Sequence, residues 1–176
     1  MKKWLTASFL VACFFAASFV PSVSRAQFTN GSLYLGPQLG LGIGYGGGAT
    51  VGGTIEGAVT NPGTVGSGRL AFAGRIDYWG WNNGYYSYSF IPLSVHCNYH
   101  FVVSDPRWDL FAGLGLGYAI VSFSYDGPGS SSTSYGGAFF TIGGGTRYFV
   151  STNVAIRGEI ALFSYLPFIL GVDFRI

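Results

Sequence analysis

The sequence predicts an all-β protein: an eight-stranded antiparallel up-and-down transmembrane β-barrel behind a cleaved N-terminal signal peptide. Three observations predict it. Apolar residues recur at every second position through most of the chain. Charged residues make up only 9% of it, beside 18% aromatics and 29 glycines. The charges within the alternating stretches all take the parity opposite to the apolar residues. A soluble domain carries about 25% charged residues, so this chain has too little charge for an ordinary wet surface. Its hydrophobicity excludes disorder.

Residues 1–26 read as the signal peptide. MKK is a positive start, WLTASFLVACFFAASFV an apolar core, Pro21 a breaker, and Ser24-Arg25-Ala26 a small-residue cleavage site. Cutting there gives a mature barrel domain over 27–176. Cys13 as a lipid-anchored start would leave FFAASFV where a polar tether is usual. Removing Lys2, Lys3 and Arg25 from nine basic residues leaves six arginines against seven acids, so net charge falls from +2 to −1. The basic excess belongs to targeting, and no nucleic-acid partner is expected. Cys97 alone survives, so no internal disulfide can form.

The strands follow in order. Over 33–45 the odd positions are Leu, Leu, Pro, Leu, Leu, Ile and Tyr, against glycines, Tyr34 and Gln38. Over 51–59 alternation continues around Glu56, and Asn61-Pro62-Gly63 turns the chain. Over 69–78, Leu70, Phe72, Ile76 and Tyr78 oppose Arg69, Arg75 and Asp77. Over 86–102, Ile91, Leu93, Val95, Cys97, Tyr99 and Phe101 oppose Ser94, His96, Asn98 and His100. Over 108–120, Trp108, Leu110, Leu114, Leu116, Tyr118 and Ile120 oppose Asp109 and glycines. DGPGSSSTSYGG, from Asp126 to Gly137, reads as the one long loop. Three more strands follow, over 138–149 with Arg147, 154–162 with Arg157 and Glu159, and 168–176 with Asp173 and Arg175. Pro37 and Pro92 predict bulges.

Two barrels alternate in this way. A soluble barrel faces its charges to water; a membrane barrel faces its apolar band to lipid and keeps a polar interior. Sparse charge and the lack of lysine after residue 3 favour the second. Only a closed barrel satisfies every backbone group of such strands in lipid. Tyr99, Phe101, Trp108, Tyr148 and Phe174 then form one aromatic belt, and Tyr45, Tyr78, Tyr118 and Phe168 the other. Glu56, Arg75, Asp77, Arg147, Arg157, Glu159, Asp173 and Arg175 are expected to form a structural charge network that plugs the lumen. Chain reversal predicts that Glu56 meets Arg75 and that Arg157 meets Asp173.

The stretches SFIPLSVHCNYHF, RWDLFAGLGLGY and GGGTRYF, with the signal peptide and eight alternating strands, resemble the small outer-membrane barrel superfamily of OmpX and OmpA-transmembrane-domain type. The resemblance covers 27–176. It implies residence in a Gram-negative-type outer membrane, outer-membrane lipid as surroundings, and insertion by the barrel-assembly machinery. It also implies that Phe174 and Ile176 act as the assembly signal, Ile176 standing where the superfamily usually has Phe. The superfamily includes adhesins, structural barrels, small-solute channels and lipid-modifying enzymes, so activity stays open.

Candidate chemistry is thin. The glycine pattern of GIGYGG over 42–47 lacks the helix a nucleotide loop needs. His96 and His100 lie about 13 Å apart along one strand, too far to share a metal. The expectation is a monomeric, non-enzymatic barrel without metal or cofactor, structural or surface-interacting, with any surface ligand met by the 126–137 segment. A narrow channel for small or hydrophobic solutes and a lipid-modifying enzyme are the alternatives.

Overall fold

The computed structural model describes Phe28, residues 31–42 and residues 48–176. The expected signal peptide, Tyr45 and most of the 42–47 glycine stretch lie outside the described residues. Among the described residues, eight strands form one closed antiparallel barrel in chain order. They are β1 Leu33–Gly42, β2 Gly48–Ala58, β3 Arg69–Asn82, β4 Tyr86–Phe101, β5 Trp108–Tyr125, β6 Ser131–Phe149, β7 Val154–Leu162 and β8 Phe168–Arg175. Closure pairs β1 with β8, from Tyr34 opposite Arg175 to Leu41 opposite Phe168.

Alternation sets which way each face points. Leu35, Leu39, Ile76, Val95, Leu114, Leu116, Ile160 and Leu170 are exposed on the outside. Glu56, Arg75, Asp77, Asp109, Arg147, Arg157, Glu159 and Asp173 are buried inside. Leu116, in mid-strand, is 63% exposed while Asp173 is 0% exposed. A soluble barrel has the reverse arrangement, and an apolar belt of this extent is solvated only by acyl chains.

Pro37 and Pro92 make no bulges. Leu35–Phe174 and Gln38–Gly171 keep one register on either side of Pro37, as Ile76–Leu93 and Trp79–Phe90 do around Pro92. The chain drops ladder pairs on one edge of each proline, which has no N–H to give, and inserts no extra residue.

The 126–137 segment is not a long loop. β5 and β6 stay paired to Tyr125 opposite Ser131, leaving a turn of five residues, 126–130, with Gly129 at φ +79°. Serine and threonine read as loop in sequence, but cross-strand hydroxyl pairs hold a ladder well. Ser122 Oγ lies 2.5 Å from Ser134 Oγ. β5 has 18 residues and β6 has 19, whereas about 9–11 cross a bilayer. The surplus rises beyond the barrel wall as a sheet of β3 to β6.

The alternation inverts where that sheet leaves the membrane. Below, the outward positions are Tyr78, Ile91 and Ile120; two residues further on they are Gly80, Ser89 and Ser122. Aromatics take the opposite face there, with Tyr86 stacked on Phe123 at 5.9 Å. The change of composition on one continuous face marks the edge of the apolar belt.

Candidate functional site

The lumen is filled in two tiers. In the turn-side tier, the Arg147 guanidinium donates to Glu56, to Asp109 Oδ2 at 3.2 Å and to Asp173 Oδ2 at 2.5 Å. Phe28, Tyr34 and Phe111 surround it, their ring centres 5.2, 5.3 and 5.4 Å away. His100 sets one ring nitrogen 2.8 Å from Asp109 and the other 3.2 Å from Glu56. Asn98 donates to Glu56 at 2.6 Å. The second tier hangs from Asp173, which also accepts from Arg157 Nε at 3.0 Å. Arg157 donates to Glu159 and to Gln38 Oε1 at 3.0 Å. Arg75 donates to Glu159 at 2.7 Å, and Gln38 to Asp77 at 2.9 Å.

The expected meeting of Arg157 with Asp173 is present; that of Glu56 with Arg75 is not. Across β2 and β3, Arg75 lies opposite Thr54 and Glu56 opposite Ala73. The long guanidinium of Arg75 therefore spans the lumen to Glu159 on β7. Arg175 sits half-exposed at the turn end, in register with Tyr34. Phe174 and Ile176 face outward, and Ile176 donates its N–H to the Leu33 carbonyl at 2.9 Å.

Sequence reasoning gave Gln38, Asn98, His100 and Asp109 no part in this network. Their signal was the shared parity with the charges. Phe28, 2% exposed and stacked on His100 with ring centres 4.0 Å apart, carried no such signal. Glycines in the wall make room. A Cβ on Gly36 would sit 2.3 Å from Asp173 Oδ1, and one on Gly52 would sit 2.2 Å from Asp77 Oδ1. A buried charge is tolerable only when paired, and these residues are paired by reaching across strands.

Toward the loop end the filling becomes apolar. Phe90, Ala119 and Val121 pack with Trp79, Tyr88 and Phe139, and Tyr165 seats edge-on against Phe90 and Phe139 at 5.1 Å each. Below them Ser94 Oγ lies 2.8 Å from His96 Nε2, beside a void of about 10 Å³. That space holds at most a single water. Cys97 is half-buried on the outward face, opposite Phe72 and Leu114.

Outside the membrane the charges are few. The turn between β4 and β5 carries Asp105 and Arg107, paired at 3.0 Å in the open. The Arg107 hydrogen bonds hold the Asp105 carboxyl below the usual aspartate range. At the other end, the described residues above the inversion row carry one charge, Asp126 at the β5–β6 turn.

No family model and no curated protein sequence matches the chain. Solved structures do. The attachment invasion locus protein Ail of Yersinia pestis aligns over 84% of this chain and all of its own, with a TM-score of 0.58 and 17% identity. Ail in complex with the heparin analogue sucrose octasulfate aligns over 82% of this chain and 97% of its own, with a TM-score of 0.61 and 17% identity. The N-terminal β-barrel domain of Pseudomonas aeruginosa OprF aligns over 84% of this chain and 98% of its own, with a TM-score of 0.56 and 15% identity. The inside-out faces, the closed eight-strand order and these likenesses agree: the chain has the fold of the small eight-stranded outer-membrane β-barrels of the OmpX and Ail type.

Proposed function

We propose that the chain is exported by a cleaved signal peptide and resides in the outer membrane of a Gram-negative-type bacterium. There it acts as a non-conducting, non-enzymatic barrel with a structural or surface-interaction role. The observation that carries the reading is the filling of the lumen by Arg147, Arg157 and their carboxylates on one side and by Phe90, Phe139 and Tyr165 on the other. Eight strands leave room only for side chains, so a plugged lumen opposes the channel alternative. The Ser94–His96 contact lies inside the wall, away from any lipid headgroup, which opposes a lipid-modifying enzyme. What remains to interact is the sheet of β3 to β6 raised above the membrane. The barrel-assembly machinery is the partner for insertion, with Phe174 and Ile176 as its signal.

Planar-bilayer recording tests the reading. Purified barrel should add no unitary current steps above the bare membrane. Stable, voltage-independent steps would overturn the closed lumen and restore the channel alternative.

A further inference from the structure

Resting on the surface-interaction reading, one site can be given a ligand class. The register aligns two rows across the raised sheet. Gly80, Ser89, Ser122 and Ser134 form the lower row, and Asn82, Ser87, Ser124 and Ser132 the upper. All have the parity of the lipid-facing residues beneath them. Together they line a groove of about 580 Å³, within the range of small-ligand clefts, about 300–1,000 Å³.

The groove has a wall as well as a floor. The Tyr78 phenol lies over Gly80, where a Cβ would meet its Oη at 2.5 Å. This phenol is thus raised above the lipid-facing residues beneath it. Ser122 bonds Ser134, and Asn82 bonds Ser87. Ser89, Ser124 and Ser132 have no side-chain partner among the described residues, and each hydroxyl offers one donor and two acceptor sites.

We propose that this groove holds the uncharged sugars of a glycolipid in the outer leaflet. Position selects the source: the groove continues the lipid-facing surface upward, at the height where the sugars of an outer-leaflet glycolipid begin. Charge selects the chemistry. Among the described residues no arginine, lysine, aspartate or glutamate lines the groove, so none of them there attracts or neutralises a phosphate or sulfate. Sugar hydroxyls match serine hydroxyls in both donor and acceptor capacity, and sugar C–H faces suit the Tyr78 phenol. The site differs in kind from one for a sulfated saccharide, which calls for cationic side chains.

The test places the barrel in phosphatidylcholine nanodiscs containing either a digalactosyl diacylglycerol, whose sugars carry no charge, or lipid A, whose sugars carry phosphates. Backbone amide shifts of Ser89, Ser124 and Ser132 are read by NMR. The neutral glycolipid should shift them saturably and lipid A should leave them in place. Ser89→Ala with Ser124→Ala should weaken the neutral-glycolipid effect about tenfold, a difference well within what two hydroxyls supply. Equal shifts with lipid A, or none with either lipid, would overturn the proposal without need of the variant. Either result leaves the bilayer recording unchanged, and a conducting barrel would leave the sugar shifts unchanged.

Discussion

Arg147 on β6 and Asp173 on β8 meet at 2.5 Å inside the barrel, although β7 lies between their strands. Asp173 receives Arg157 as well, so one carboxylate ties the two tiers of the lumen together. Truncating either arginine strands a buried charge. Arg157→Ala should cost about 3–5 kcal/mol, read as a lower urea midpoint in detergent or lipid. Arg107→Ala alters an exposed pair and should move the midpoint little. Equal effects would remove Arg157 from the network.

Close approach of wall and carboxylate gives a second test. Gly36→Ala drives a methyl into Asp173 and into the Val172 carbonyl, 2.4 Å from the new Cβ. Overpacking of this kind costs about 1–3 kcal/mol. Gly53→Ala meets only the Gly36 carbonyl at 3.6 Å, an ordinary contact. Unfolding of the two variants side by side should separate them clearly, and a neutral Gly36→Ala would mean that the lumen is looser than described.

Phe28 closes the turn-side mouth over His100 and Tyr34. Phe28→Ala should cost about 3–5 kcal/mol, the usual range for a buried phenylalanine. The same preparation tests maturation: N-terminal sequencing should begin at Gln27, one residue before Phe28. A start at acylated Cys13 would make the chain a lipoprotein.

The β4–β5 turn carries a pH dependence with a definite sign. Arg107 lowers the Asp105 pKa, so their contact persists above the ordinary aspartate range and is lost as pH falls through the depressed value. NMR titration of the Asp105 side chain should give a midpoint below an ordinary aspartate, and Arg107→Ala should raise it back. No change on removing Arg107 would mean that the pair is not formed in solution.

Much of this architecture was legible in sequence because period two is a strong signal and each charge chose the same side. Leu114, Leu116 and Ile120 against Asp109 already implied an outside and an inside. What was not legible came from two sources. Strand ends depend on pairing, so the hydroxyl-rich 131–137 segment looked like loop until β5 was there to pair with it. Lumen contacts depend on reach across a closed wall, which chain reversal does not supply. Adjacent strands pointed Glu56 at Arg75, while closure brought Glu56 to Arg147 and Arg75 to Glu159. His100 and Gln38 had the right parity, but no local pattern announced that His100 would bridge two carboxylates or that Gln38 would link Asp77 to Arg157.

The direction of the two faces underlies the whole architecture, and Leu116 reports it. It stands outward at mid-strand, between Gly115 and Gly117. In a Cys97→Ser background, Leu116→Cys in the folded, lipid-embedded barrel should react with a lipid-soluble maleimide and resist a charged, water-soluble one. Labelling by the charged reagent would mean a wet surface, and protection from both would mean a buried core; either result contradicts a barrel that faces lipid.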